Sequence, residues 1–509
     1  MEIRTGLRTL ATAIVLACMA VPALPQTRTI SIDAADVTGT IRCLQGVNLG
    51  PLSSRPGGPD LSEQYRPGGP DLSRQYRDIG VSIVRTHDFN GPTDIDAYRN
   101  FKPVDGTIFP NWDADPDKEG SYVFGPSDRI IKGIVDSGAQ VYYRLGRTFT
   151  CDPTIPPNFD KFADVCKHVA MHYNGGWANG HRYNIRYWEL WNEPNIAPDW
   201  TPGDFFPIPW GGPAVKFFQL YEKVARALKS YDPGLKVGGC GLAEGQRESV
   251  FREGFIGYCA DHNVPLDFFS WHHYAGDSSD PYDLVRVARI VRDILDSNGF
   301  QKAENHCDEW NLRADPLMTG PQSEGSMEAA AFMGSALIYA QDALDLSAIY
   351  SGNTGELGLF ERDGSYRKRA YAFKANGMMP KTPQRLAVTG GDTYGFSILA
   401  GRSEDGKTVQ VLMVNYEIRQ PQGPPRQTAA PGSHPIARRK GIHYENNRGY
   451  DLRVSHLPWG DGEFSVRRYR ISDKENFDLV DEASGRGGTF ASKNPLSPPA
   501  IELIVLQQK

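Results

Sequence analysis

Beyond its N-terminal leader, this 509-residue sequence has no apolar run long enough to span a bilayer, so no membrane helix is expected in the mature chain. Cysteine is scarce at seven, and no two are spaced Cys-x-x-Cys, so nothing in the pattern points to zinc. Basic charge is not in excess. The 55 Lys and Arg stand against 61 Asp and Glu, and no basic cluster is interleaved with aromatics, which argues against a nucleic-acid partner. His168 and His172 lie four apart on a predicted helix, but the third ligand and the Glu of a zincin motif are missing. No metal and no cofactor is expected.

What is present begins with an export signal over residues 1–23. Arg4 and Arg8 precede an apolar run from Leu10 to Val21, and Val21-Pro22-Ala23 offers a cleavage site. The expected location is secreted or periplasmic. Cys18, after Val15-Leu16-Ala17, also loosely matches a lipoprotein anchor. Cleavage leaves Cys43, Cys151, Cys166, Cys240, Cys259 and Cys307, either as buried thiols or as disulfides, with Cys151–Cys166 and Cys240–Cys259 the pairs to test. The 23 Tyr, 23 Phe and 9 Trp supply flat faces of the kind that stack on sugar rings, although most must serve the core.

The length suits a large domain with a smaller one. Eight short β-branched or aromatic runs alternate with helical patterns: Ile41–Asn48, Val81–Phe89, Gln140–Gly146, Ile185–Glu193, Leu235–Leu242, Leu266–Tyr274, Ala303–Trp310 and Leu344–Ser351. Eight such units predict an α/β fold, a (β/α)8 TIM barrel over residues 41–383, with its chemistry at the C-terminal strand ends. After residue 383 only strand patterns remain, so residues 28–40 and 384–509 are expected to form an all-β sandwich. Arg419–Gly449, rich in Pro, Gly, Arg and Gln, reads as a solvated loop. Residues 55–65 are repeated almost unchanged at 66–76. Pro-Gly-Gly-Pro breaks a helix, so the first copy reads as extra loop on the catalytic rim and the second as the start of the first helix, with Asp71 as N-cap.

Two acidic strand ends stand out. The fourth strand runs Trp188-Glu189-Leu190-Trp191-Asn192-Glu193-Pro194-Asn195 and the seventh Cys307-Asp308-Glu309-Trp310. Alternation puts Glu189, Trp191 and Glu193 on one side, with Cys307 and Glu309 together on theirs. Glu193 then sits at the mouth, while Glu189 lies deeper and needs Arg85 or Arg144 as partner. Asp308 is set aside on the other face.

The stretch Trp188–Asn195, together with Arg85-Thr86-His87-Asp88, His272-His273-Tyr274 and Asp308-Glu309-Trp310, resembles glycoside hydrolase family 39, the β-xylosidase and α-L-iduronidase family of a retaining (β/α)8 clan. The resemblance runs from about Gly46 to Met379 and includes Gly358-Leu359-Phe360 and Lys368-Arg369-Ala370-Tyr371. It implies double displacement, with Glu193 as acid/base, Glu309 as nucleophile, and carboxyls about 5–5.5 Å apart. It further implies that Arg85 and Tyr274 keep Glu309 ionised and aimed, that Asn192 bonds the sugar 2-hydroxyl, and that His87, Asp88 and His272 bind the other hydroxyls. Trp310, beside the nucleophile, is the expected sugar platform. Only one of His272 and His273 can face the barrel, and the resemblance favours His272.

The iduronidases of this family carry a Lys two residues after the sixth-strand His, where this chain has Tyr274. The expected substrate is therefore an oligo- or polysaccharide cut by a xylosidase-like exo-enzyme. The alternatives are an exo-enzyme for arabinose or galactose units, an endo-acting exopolysaccharide hydrolase, and a binding protein without activity. Oligomeric state is not legible.

Overall fold

The structure, a computed structural model, describes residues 26–52, 70–87, 107–146, 155–195, 213–246, 250–275, 280–312, 326–355, 357–418, 436, 439–440 and 446–509. The expected export signal, the first repeat copy, Asp88, Cys151 and most of the 419–449 segment lie outside them.

After β1 (Gln26–Thr40) the chain alternates strand and helix: β2 (Gly46–Asn48), α1 (Ser73–Ile79), β3 (Ile83–Arg85), α2 (Gly125–Asp136), β4 (Gln140–Leu145), α3 (Phe159–Gly175), β5 (Tyr187–Leu190) and α4 (Pro213–Tyr231). It continues through β6 (Lys236–Leu242), α5 (Val250–Asp261), β7 (Phe268–Ala275), α6 (Asp283–Ser297), β8 (Glu304–Leu312), α7 (Met327–Tyr339), β9 (Leu346–Ile349) and α8 (Lys368–Met378). Strands β2 to β9 pair in sequence order, all parallel, and close on themselves. This is the (β/α)8 barrel that the alternation predicts. Helix α1 begins two residues after Asp71, whose Oδ1 still accepts from the Ser73 N–H at 2.8 Å.

The N-terminal end of the barrel is plugged. Ile83, Tyr142, Phe268, Leu346 and Ala348 fill its interior, with Tyr187 packed against them. Beside this plug, at the N-terminal rim where their strands begin, Glu304 gathers Tyr187, Lys236 and His306 at 2.9, 2.7 and 3.0 Å. Burial would raise the Glu304 pKa, but the His306 bond and charge, then Lys236 and Tyr187, outweigh it and bring it to about 2. A depressed folded-state value stabilises the fold above the ordinary carboxylate range, and that contribution disappears as pH falls toward 2. Glu304→Gln should therefore melt a few degrees below wild type at pH 6, with the gap closing as pH falls below 4. A gap that is constant with pH in thermal melts would mean that the cluster acts by packing alone.

The remaining strands are β10 (Gln384–Thr389), β11 (Phe396–Arg402), β12 (Thr408–Asn415), β13 (Asn447–Ser455), β14 (Glu463–Ile471), β15 (Asn476–Arg486), β16 (Phe490–Pro495) and β17 (Ala500–Gln508). With β1 they form one hydrogen-bonded sheet in the order β15-β14-β17-β12-β11-β10-β1-β13-β16. The sheet curls over itself in the manner of a sandwich. Tyr450 on β13 donates to Glu502 on β17, with four strands between them in the order, and residues of β1, β12, β13, β14 and β17 share one apolar core. β1 joins it from the N-terminal side, pairing with β10 and β13.

Helix α7 welds the two parts together. It is apolar on every face and buried almost throughout, as a helix enclosed on all sides must be. Gly334 lets Val414 and Ile501 of the sheet approach its backbone, and Ser335 meets Ser397 at 3.1 Å. Arg439 adds a polar clamp, gripping Asp280 with two bonds of 2.6 and 2.9 Å and lying over the rings of Tyr282 and Tyr394. Cys240 and Cys259 are separate buried thiols, so the disulfide considered for them does not form. Burial pushes both thiols up in pKa, which keeps them protonated and unreactive.

Candidate active site

At the C-terminal mouth of the barrel, β5 stops at Leu190 and the chain turns through two left-handed residues, Trp191 at φ 72° and Glu193 at φ 49°. Non-glycine residues held there cost about 1–3 kcal/mol each and persist only where the surroundings fix them. Here Trp191 N–H donates to Leu145 O at 2.7 Å and Glu193 N–H to Gly241 O at 2.8 Å. Asn195 then clamps the backbone of Ala243 through both its amide atoms. Strict alternation therefore fails beyond Leu190. Trp191 is buried in the outer core near Phe162 of α3, and Glu193 reaches the mouth by the turn.

The seventh barrel strand, β8, departs from alternation in its middle. Trp271 pairs with Cys307 and His272 with Glu309, which leaves Asp308 as the extra residue of a β-bulge. Contrary to expectation, Asp308 joins Glu309 in the barrel interior, within 3.0 Å of Arg85, while Cys307 belongs to the outer apolar core. Trp310 belongs to that core as well. It is 1% exposed and its ring N–H donates to Ser347 Oγ at 2.7 Å, so it offers no face to a sugar and is not the platform expected of it.

Arg85, on β3, is the hub. Its Nε donates to Glu189 Oε2 at 2.7 Å, Nη1 to Asn48 Oδ1 at 3.0 Å and to Glu309 Oε2 at 3.2 Å, and Nη2 to Asn192 Oδ1 at 2.9 Å. Of the two arginines considered for Glu189, Arg85 is the one bonded to it. Ser270 Oγ serves the other Glu189 oxygen at 2.6 Å. Both charges are fully buried, the arrangement in which loss of one partner costs most.

Glu309 is further held by Tyr274 Oη, which donates to Oε1 at 2.5 Å, and by His87 Nε2, 3.0 Å from Oε2. His87, expected among the sugar ligands, thus reaches the carboxylate instead. Burial alone would raise the Glu309 pKa, but His272, His87 and Arg85 outweigh it and hold the group well below the usual carboxylate range. On Glu193 the partner is His272, whose Nδ1 is 2.8 Å from Oε1. Its neighbour His273 points away. Burial lowers the His273 pKa to about 4, which leaves that ring neutral and outside the site. A carboxylate oxygen of Glu193, one of Glu309 and a His272 ring nitrogen all lie within 4.8 Å of one another.

Four members of this constellation were not among the expected site residues. Asn48 ends the first barrel strand and donates to the Asp308 carbonyl at 2.8 Å. Ser270 follows from alternation two residues before His272. Asp308 is concealed by the bulge. Gly241 closes the run Gly238-Gly239-Cys240-Gly241, a pattern that signals close backbone approach. It has φ 56°, and a Cβ there would stand 3.0 Å from Arg85 Nη2 and 3.3 Å from both Glu189 Oε1 and His272 Nε2. Gly241→Ala should therefore lower kcat at least tenfold and lower stability by about 1–3 kcal/mol. Kinetics with a parallel thermal melt check this, and an unchanged kcat would show that the space beneath Arg85 is not needed.

A parallel barrel plugged at its base, with two carboxylates facing each other at its mouth, is the architecture of a glycosidase. Residues 69–368 match Glycosyl hydrolases family 39, and the chain belongs to that family. It is 28% identical over 219 residues to a beta-xylosidase of Geobacillus stearothermophilus, a match that covers 39% of each chain. It is 30% identical over 126 residues to a beta-xylosidase of Caldicellulosiruptor saccharolyticus, covering 24% of this chain and 22% of that one. The matches thus span well under half of these curated relatives. Among solved structures, a glucosidase from Croceicoccus marinus superposes with a TM-score of 0.81 at 30% identity, covering 95% of this chain and all of that one. A monomeric beta-xylosidase from Caulobacter crescentus superposes with a TM-score of 0.65 at 17% identity, over 94% of this chain and 99% of that one, a likeness of fold.

Proposed function

We propose that the protein is an exported, retaining exo-glycosidase that releases a terminal xylosyl unit from an oligo- or polysaccharide, with Glu309 as nucleophile and Glu193 as acid/base. The separation of the two carboxylates carries this reading. Oxygens within 4.8 Å suit direct attack by one carboxylate, whereas an inverting pair stands roughly 6.5–9.5 Å apart to admit a water. Glu309, anionic and aimed by Arg85, His87 and Tyr274, attacks the anomeric carbon while Glu193 protonates the leaving oxygen. Glu193 then takes a proton from the water that frees the sugar. Asn192, whose Oδ1 is occupied by Arg85, has its amide N–H groups left to donate to the 2-hydroxyl. Tyr274 occupies the position that a uronate-binding Lys would need and uses its hydroxyl on Glu309, which disfavours a uronate substrate. The leader over residues 1–23 supports export.

A glucosyl substrate is the second reading, favoured by the 30% identity to the Croceicoccus marinus glucosidase over nearly the whole chain. The two sugars differ by one hydroxymethyl group, a difference that a pocket resolves through a few contacts. A panel of aryl β-xyloside, β-glucoside, α-arabinoside, β-galactoside and iduronide decides between them. We expect the xyloside or glucoside to exceed the others at least tenfold in kcat/KM, with the first-formed product retaining its anomeric configuration by NMR. Inversion would overturn the mechanism. No turnover on any glycan, with sugar affinity unchanged in Glu309→Gln, would indicate a binding protein.

A further inference from the structure

Two buried polar groups in the site face each other without a hydrogen bond. His272 Nε2 lacks a hydrogen-bond partner among the described residues and stands 3.6 Å from Asp308 Oδ1 and 3.8 Å from Glu309 Oε2, while no N–H or hydroxyl of the described residues donates to either Asp308 carboxyl oxygen, whose nearest polar neighbour besides Arg85 is the Glu189 carboxyl. Buried polar atoms are seldom left this way, and each such case needs a physical reason. At 3.6 Å the gap exceeds a hydrogen bond, but a few tenths of an ångström of side-chain movement closes it, and catalytic hydrogen bonds are often long before substrate binds.

Which of the two groups carries the proton follows from counting charges. Asp308 is surrounded by Arg85, Glu189, His272, Glu309, Tyr142 and Cys240. One guanidinium therefore serves three buried carboxyls, Glu189, Asp308 and Glu309. Glu189 takes the short Nε bond at 2.7 Å, and Glu309 takes an Nη1 bond along with His87 and Tyr274. Asp308 Oδ2 merely lies 3.0 Å from Nε, a nitrogen whose single hydrogen is already committed to Glu189. Two carboxylates crowded on one cation do not both ionise, and the one with fewer donors keeps the proton. In agreement, burial and then the Glu189 charge push Asp308 well above the usual carboxylate range.

We propose that Asp308 is a neutral carboxylic acid that donates from Oδ1 to His272 Nε2 and thereby fixes the ring as its Nδ1–H tautomer. The other ring nitrogen then has a proton to give, and Nδ1 lies 2.8 Å from Glu193 Oε1. Which nitrogen of a histidine carries the hydrogen is set by what the other nitrogen bonds. With Oε1 accepting from His272, the catalytic proton of Glu193 resides on its second oxygen, free to reach the leaving group. The opposite tautomer would present a lone pair to Oε1, draw the Glu193 proton onto the ring side and withhold it from the substrate. Asp308 is on this view a positioning residue that acts on the acid through His272. The inference rests on Glu193 being the acid, but its first test does not.

That test is nitrogen NMR of the whole protein labelled with 15N-histidine, with His272 assigned by its absence in His272→Gln. Wild type should show the Nδ1–H form. Asp308→Asn can still donate to Nε2 from its amide and should show the same form, whereas Asp308→Leu, which cannot donate, should shift toward Nε2–H. An Nε2–H ring in wild type would overturn the proposal, because it would mean that Asp308 directs its proton to Glu189. An unchanged ring in Asp308→Leu would overturn it as well. The kinetic arm compares aryl glycosides of good and poor leaving groups. Asp308→Leu should lose at least tenfold more kcat/KM on the poor one than on the good one, and Asp308→Asn should restore the wild-type dependence. If Asp308→Leu does not fold, the wild-type spectrum and Asp308→Asn still decide. An expected spectrum with no leaving-group effect would place the fault in the assignment of Glu193.

Discussion

Glu309→Gln is expected to lower kcat on the order of 10⁴-fold or more, since removal of a covalent nucleophile leaves only binding and the remaining electrostatics. The substitution is close to isosteric, so the site should keep its shape, but an amide is a poor nucleophile and cannot carry the negative charge that faces the developing oxocarbenium ion. Its surroundings magnify the loss. Arg85, His87 and Tyr274 all present hydrogen to the Glu309 oxygens, and the NH2 of a Gln would meet one of these donors head-on. Stability should change in the opposite sense or little, because the site no longer crowds three carboxyls around one guanidinium. Glu309→Ala sharpens the test. The space it opens admits a small anion such as azide, which can attack from the nucleophile's side, so azide should restore part of the rate on an aryl glycoside and yield a glycosyl azide of inverted configuration. A retained azide, or full activity in Glu309→Gln, would remove Glu309 from the role.

The frame around this residue was legible because it rests on periodicity. Eight strand runs separated by helical patterns close into a barrel for reasons of burial and handedness that any such sequence must satisfy, and Glu193 and Glu309 stand at strand ends where the fold gathers its chemistry. What periodicity cannot convey is a change of phase. The bulge at Asp308 breaks the phase of β8, so that Asp308 and Glu309 both face the site while Cys307 before them and Trp310 after them both face the outer core. The left-handed turn at Trp191 and Glu193 has the same effect after β5. Neither leaves a composition signal, since no glycine marks either position. His87 was placed at the mouth by its strand, but its partner is a carboxylate on a strand remote in sequence, a contact that only closure of the barrel creates.

Glu193→Ala should lose roughly 10²- to 10⁴-fold in kcat/KM on natural linkages, the usual worth of a positioned proton donor. The loss should depend on the leaving group. A sugar alkoxide needs protonation as it departs, so its release bears the whole cost, while a nitrophenolate leaves readily without help and its glycosylation step should change little. The deglycosylation step must slow for every substrate, because each passes through the same glycosyl-enzyme and the water that attacks it has lost its base. Activated glycosides should therefore show a burst of phenolate followed by a slow steady state and a low apparent KM. The pH profile gives an independent sign. A basic limb in the wild-type kcat/KM profile on a poor leaving group should be absent from Glu193→Ala. The acid limb should survive, because it reports Glu309, whose depressed pKa keeps it ionised into strongly acidic solution. Azide again separates the roles: entering on the leaving-group side of the glycosyl-enzyme in Glu193→Ala, it should yield a product of retained configuration, the opposite of that expected for Glu309→Ala. If aryl glycosides with good leaving groups slow in glycosylation as much as natural linkages do, or if both variants give the same azide anomer, Glu193 is not the acid.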